Sequence, residues 1–298
     1  MNDKSGKIGI FDSGIGGTTV LRELIKALPN EDYIYYGDNG NFPYGSGKTK
    51  EDLQKLCERI LKFFLMNNCK LVVVACNTAS IAAIEYLREN FSLPIIGIIE
   101  SGVKGAIKNT INKNVAVIST KFTAEAHGYK KQADNLDSDL NITEIACKEF
   151  PNMIEKGWET FSNSEELLNK YLSKIPENVD TLVLGCTHYP LIRDVIEQHT
   201  NIKIVDPAFQ AVEEVKRTLK SLNILNTKSE KGKLIFFVTG ESKYFQAIVE
   251  KILEREIDIY RIPNKKLNWN KEEILWNNVW ILLIYIEDLE KLVDKYKL

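Results

Sequence analysis

Residues 71–80 read LVVVACNTAS, and residues 181–190 read TLVLGCTHYP. Each begins with a continuously apolar run of strand length, as a parallel strand buried on both faces requires. Each continues through a small residue (Ala75, Gly185) to a cysteine (Cys76, Cys186) and a polar pair where a helical pattern starts. Outward from the first stretch, Ile8–Phe11 reads as a strand ending in the glycine-rich loop DSGIGG. Thr18–Leu28 follows as a helix, Tyr33–Gly37 as a strand and Glu51–Met66 as an amphipathic helix. Thr78–Asn90 is then a helix and Pro94–Ile99 a buried strand. Outward from the second stretch, Asn114–Ser119 is a strand with a helix from about Ala124, and Leu191–His199 is a helix. The chain closes with a helix over Ala208–Leu222, a polar linker, a strand over Leu234–Val238 and a helix over Lys243–Glu254. Strands alternating with helices imply βαβ units and a mostly parallel sheet.

The two stretches belong to related halves. Asp12 precedes Cys76 by almost the interval that separates Thr120 from Cys186, and both sit on loops that follow a strand. The expected fold class is α/β, with two pseudo-symmetric parallel-sheet α/β domains facing each other across a central cleft. The expected boundaries are 1–99 plus 208–262 for the first domain and 100–207 for the second. Residues 263–298, which hold Trp269, Trp276 and Trp280, read as a helical C-terminal extension.

Composition removes several alternatives. The chain has 298 residues, which suits two domains. A formal net charge of −2 gives no electrostatic footprint for nucleic acid or an anionic membrane, so direct nucleic-acid binding is not expected. The five cysteines cannot all pair and form no CxxC, which argues against a disulfide scaffold and a zinc ribbon. Three histidines leave no basis for a multi-histidine metal site. The N-terminus MNDKSGK has no apolar signal region, and the late apolar run 279–286 is too short to span a bilayer. The expectation is a cytoplasmic protein with reduced thiols.

Ligands of open parallel sheets bind beyond the carboxyl ends of the strands. That rule lines up Asp12, Ser13, Asp38, Cys76, Asn77, Thr78, Thr120, Cys186, Thr187 and His188 along one rim. A free cysteine is usually small apolar filler, which suits Cys57, Cys69 and Cys147. Cys76 and Cys186 differ, because each precedes an expected helix N-terminus, where unpaired N–H groups and the helix dipole favour a thiolate. The DSGIGG loop lacks the GxGxxG spacing of a dinucleotide site, and no GxxxxGK[ST] occurs. Its backbone N–H groups would serve a carboxylate as well as a phosphate. Cys186 stands one residue too far from Arg193 for a cysteine phosphatase loop. Two thiols facing one carbon would suffice to invert it: one removes a proton and the other supplies one. Asp12 and His188 could shuttle protons for them, and no cofactor is required.

The segments IGIFDSGIGG, YYGDNGNFPYGSGKT, VVVACNTAS, PIIGIIESGVKGA, VISTKFT, LVLGCTHYPL and DPA together resemble the aspartate/glutamate racemase family. The resemblance covers roughly residues 7–262. It implies cofactor-independent interconversion of L- and D-glutamate for peptidoglycan, with an aspartate or broad-specificity racemase as the alternative. It assigns Cys76 and Cys186 as the acid/base thiols, the first acting on the D-enantiomer and the second on the L-enantiomer. Asp12 becomes the auxiliary group of Cys76, His188 that of Cys186, and Glu155 a further supporting carboxylate. Asp12, Ser13, Tyr44, Gly45, Asn77, Thr78, Thr187 and His188 become substrate contacts, with Thr120 added. The resemblance also implies a homodimer. The chain departs from the family pattern at Lys148 and Asn152, where prolines are usual, and at Ser101. A one-thiol hydrolase or lyase and a non-catalytic binding protein are the competing classes; the presence of both cysteines argues against the first.

Overall fold

The computed structural model describes residues 4–262. The expected tryptophan-rich extension, 263–298, lies outside the described residues. The chain opens with β1 (Lys7–Asp12), α1 (Thr18–Ala27), β2 (Tyr33–Gly37), α2 (Lys50–Met66), β3 (Cys69–Val74), α3 (Asn77–Asn90) and β4 (Ile95–Gly97). It continues through α4 (Ile98–Asn109), β5 (Asn114–Ser119), α5 (Lys121–Glu125), α6 (Gly128–Leu136), β6 (Asn141–Ala146), α7 (Phe150–Glu155), α8 (Ser164–Leu172), β7 (Thr181–Gly185), α9 (Arg193–His199) and β8 (Lys203–Val205). It then returns with α10 (Pro207–Ser221), β9 (Leu234–Val238), α11 (Lys243–Leu253) and β10 (Asp258–Arg261).

Two sheets result, and every pairing in them is parallel. The first has the order β10-β9-β2-β1-β3-β4, and the second β6-β5-β7-β8. The four strands β2-β1-β3-β4 match β6-β5-β7-β8 one for one. β1 therefore corresponds to β5 and β3 to β7. The expected pair of pseudo-symmetric parallel-sheet domains is what the chain forms, and the first sheet is the repeated unit extended by two strands.

The central strands are sealed on both faces. All residues of β3 and β7 are buried, and each fully buried aliphatic side chain contributes about 1.5–3 kcal/mol. One face of the first sheet shares a core with α1, α10 and α11 through Leu21, Leu24, Val212, Val215, Phe245 and Val249. The other face carries an aromatic layer in which Phe63 and Phe64 of α2 meet Tyr36 and Phe11. The second sheet lies between a cluster with α4 and α6 (Val103, Ala106, Tyr129, Ala133) and one with α7 to α9 (Phe150, Leu168, Ile196).

Side chains cap the starts of two long helices. Thr49 and Asp52 form a reciprocal capping box on α2. Asp206 caps α10 by accepting the N–H of Ala208, and Pro207 takes the first turn.

Four expectations about the elements need correction. The strand expected over Pro94–Ile99 ends at Gly97, and Ile98 already opens α4, because the first turn of that helix is buried and apolar like the strand before it. The helix expected from about Ala124 is two helices, parted where His127 adopts φ 51°. The helix expected over Leu191–His199 starts as a 3-10 turn, Tyr189–Ile192. Strands β6, β8 and β10 were not read from the sequence; they are sheet-edge strands of three to six residues, half exposed. No described helix is long and apolar enough to cross a membrane.

Candidate active site

The carboxyl ends of β1, β3, β5 and β7 deliver the rim that the sequence suggests. A small cavity there is lined by Ser13, Phe42, Pro43, Tyr44, Gly45, Cys76, Asn77, Thr78, Thr120, Pro151, Cys186, Thr187 and His188. Both strand-end cysteines reach it, one from each half. Cys57, Cys69 and Cys147 are buried elsewhere, and all five cysteines are free.

Cys76 is the residue that caps α3. Its sulfur lies 4.0 Å from Ser13 Oγ. The helix N-terminus was expected to favour a thiolate here, and that expectation is corrected. Burial pushes the Cys76 thiol well up, the Asp12 carboxylate adds to this, and the Ala79 N–H does not offset them. Cys76 therefore holds its proton.

Cys186 has a different environment. It precedes the 3-10 turn rather than an α-helix, and its sulfur lies 3.7 Å from His188 Nδ1. His188 Nε2 lies 3.0 Å from Glu155 Oε1. Burial works against the imidazolium, but the Cys186 sulfur and the Glu155 carboxylate outweigh it and raise the His188 pKa well above its ordinary value. A charged imidazole donates from both nitrogens, so Nδ1–H points at the sulfur and Nε2–H at the carboxylate.

Asp12 and Glu155 do not line the cavity; they brace it from behind. Asp12 is fully buried, accepts the N–H of Gly14 at 2.9 Å and accepts the Thr187 hydroxyl at 3.0 Å. Burial raises its pKa, while His188, Gly14 and Thr187 pull the other way. Glu155 Oε1 also accepts the backbone N–H of Ile15 at 3.1 Å, which ties α7 to the DSGIGG loop. A Cβ on Gly14 would lie 2.2 Å from that oxygen, so the loop needs glycine there for the carboxylate to approach. The Glu155 carbonyl accepts the Tyr244 hydroxyl.

The remaining expected residues cluster on the cavity wall. Thr78 and Thr120 hydroxyls are 3.0 Å apart, and Thr120 packs against Gly45. Thr19 donates to the Thr187 carbonyl at 3.2 Å. Tyr44 is held by Asp38, whose buried carboxylate also accepts from Thr239 at 2.7 Å and from Asn41 at 2.9 Å.

Sequence reasoning put Asp38 on the rim without a role and missed Phe42, Pro43 and Pro151. Phe42 precedes the PYG segment and Pro43 is its first residue, so the loop position after β2 was the available signal. Pro151 sits beside Glu155 on α7, and only the fold brings it across. The wall combines hydroxyl, amide and backbone donors with two sulfurs. That set suits a small carboxylate held between two proton-carrying groups.

Comparison with known proteins agrees with this chemistry. Residues 8–215 match the family described as Asp/Glu/Hydantoin racemase. The chain is 72% identical over 263 residues to a glutamate racemase of Fusobacterium nucleatum subsp. nucleatum, covering 88% of this chain and 100% of that protein. Glutamate racemase isoform RacE1 from Bacillus anthracis superposes with a TM-score of 0.83 at 34% identity, over 87% of this chain and 98% of that one. The Francisella tularensis glutamate racemase in complex with D-glutamate gives 0.80 at 33% identity, over 87% and 97%.

Proposed function

The chain belongs to the Asp/Glu/hydantoin racemase family, and from that premise we propose that it interconverts L- and D-glutamate with Cys76 and Cys186 as its two proton-transfer groups. The observation that carries this reading is the arrival of two cysteines, from matched strands of two matched sheets, at one cavity.

The surroundings of the two sulfurs support a direction for each transfer. In this reading Cys186, paired with His188, serves as the acceptor, and Cys76, whose thiol is pushed up by burial, serves as the donor. L-glutamate placed between them loses its Cα proton to Cys186 and receives one from Cys76 on the opposite face, giving D-glutamate. The sulfurs finish with their roles exchanged, and D-glutamate then reacts by the reverse path. Both proton transfers are thus accounted for by the chain's own side chains. The Cα–H of an amino acid is a very weak acid, so charge developing on its carboxylate has to meet fixed donors. Ser13, Asn77, Thr78 and Thr187 supply them on the cavity wall. Asp12 and Glu155 act from behind, through Thr187 and His188.

The product would serve peptidoglycan assembly in the cytoplasm, where the free thiols stay reduced. The domain limits after residues 99 and 207 are supported by the packing of α4, whose Val103 and Ala106 enter a core of the second sheet, and of α10, whose Val212 and Val215 enter that of the first. A homodimer remains the assembly suggested by the family.

Incubation with L-glutamate in D2O, without added cofactor, should yield D-glutamate carrying deuterium at Cα. An unchanged circular dichroism of the substrate would overturn the reading. Aspartate, run in parallel, should turn over far more slowly.

A further inference from the structure

Tyr129 has no part in the mechanism above, yet its hydroxyl donates to Asn77 Oδ1 at 2.7 Å. The two residues come from different halves. Asn77 opens α3 behind β3 of the first sheet, and Tyr129 stands in α6 over the second. Tyr129 is 0% exposed, and its setting allows the ring little freedom. Its backbone N–H donates to Glu144 Oε1 at 3.1 Å. The ring belongs to the apolar cluster of Val103, Val115 and Val183. On its flank, a Cβ at position 102 would lie 2.7 Å from the ring, so Gly102 lets α4 close against it.

A side-chain amide has one accepting end and one donating end. Burial pushes the Tyr129 pKa well up, so its hydroxyl keeps a proton to donate. The amide oxygen of Asn77 is thereby committed to Tyr129. The nitrogen takes no hydrogen-bond partner among the described residues, and Asn77 lines the cavity. Were the amide turned over, its oxygen would face the substrate's carboxylate, acceptor against acceptor.

We propose that Tyr129 is a positioning residue, whose hydroxyl fixes the amide of Asn77 with its nitrogen turned into the cavity as a donor to a carboxylate of glutamate. This rests on the racemase reading, but it concerns a residue that never touches the substrate.

Tyr129→Phe keeps the ring and removes the hydroxyl. It should lower kcat/KM about three- to tenfold in both directions, as the loss of one hydrogen-bond partner implies. In an Asn77→Ala background the same change should cost less than about twofold, because no amide is left to orient. Asn77→Asp keeps the acceptor for Tyr129 but replaces the donor, so it should cost more than Asn77→Ala. NMR of the Asn77 side-chain amide gives a readout that does not depend on turnover. Its two N–H signals, kept distinct by the amide double bond in either protein, should shift in Tyr129→Phe and lose their fixed pattern of contacts to neighbouring protons. Equal penalties in both backgrounds, full activity of Tyr129→Phe, an unaltered Asn77 amide in that variant, or a tolerated Asn77→Asp would each overturn the positioning role. Failure of the wild type to racemise glutamate would instead overturn the functional reading.

Discussion

Glu155 Oε1 is the acceptor for His188 Nε2 at 3.0 Å, and the same oxygen receives the N–H of Ile15 from the opposite half of the molecule. One carboxylate therefore does two things: it keeps His188 charged beside Cys186, and it clasps the second half to the DSGIGG loop. Removing its charge should disturb both.

Glu155→Gln should lower kcat/KM roughly ten- to hundredfold, the range for a hydrogen bond to a charged group. It should also move the loss of activity at high pH to a lower pH, since the carboxylate helps hold the His188 proton. The stability effect has a defined sign. The folded protein binds that proton more tightly than the unfolded chain, so the contribution is complete below the ordinary value of 6.5 and fades as pH rises through the raised folded value. Urea unfolding across that range should show wild type and variant converging at high pH. A constant gap would contradict it.

Cys76→Ser and Cys186→Ser should each reduce racemisation by about a thousandfold or more, within the range for losing a general acid or base. Neither should unfold the protein, because the replacement is close in size and both sites already hold hydrogen-bonding neighbours. Activity should be followed by polarimetry with both enantiomers as substrate. A variant with substantial turnover in either direction would exclude a two-thiol path.

Asp12→Asn should speed alkylation of Cys76. The Asp12 charge raises the thiol's pKa, so removing it enlarges the thiolate fraction. Iodoacetamide labelling followed by peptide mass spectrometry separates Cys76 from the other four cysteines. Slower labelling of Cys76 would reverse the sign of this coupling.

Lys70 and Glu31 form a buried ion pair at 2.6 Å, at the amino ends of β3 and β2 and so away from the cavity at the strands' carboxyl ends. The ammonium also donates to the carbonyls of Lys4 and Ile224. Lys70→Met leaves a buried carboxylate without its cation and should cost about 3–5 kcal/mol in urea unfolding. Adding Glu31→Gln should recover much of that loss. The racemase activity per folded molecule should stay the same in both variants.

The legible parts of the chain share a physical cause. LVVVA and TLVLG could be read because a strand buried on both faces has to be continuously apolar, and their cysteines could be placed because a parallel strand hands its next residue to the rim. The short edge strands β6 and β8 carry no such signature, since one side faces solvent and three to six residues hold little periodicity. The start of α4 was hidden for the opposite reason: its first turn is as buried as the strand before it. In the site, most residues of the Cys, DSG and PYG segments were found, while Pro151 and Tyr129 were not. Their roles depend on contacts between segments far apart in sequence, which local pattern does not encode. The charge environment of Cys76 was misjudged because burial is a property of the finished fold.

The repeated strand order has a consequence for kinetics. It puts similar scaffolds on the two sides of the substrate, yet the furnishings differ: Cys186 has an imidazole beside it, and Cys76 a serine hydroxyl. Mirror-image molecules have equal free energies in water, so the equilibrium constant of their exchange is one, whatever the catalyst looks like. The ratio kcat/KM must then be identical for the two enantiomers. The unequal sides can only trade turnover against saturation, giving one enantiomer a higher kcat and a higher KM in proportion. Every substitution proposed for the site, on either side, has to lower the two specificity constants together.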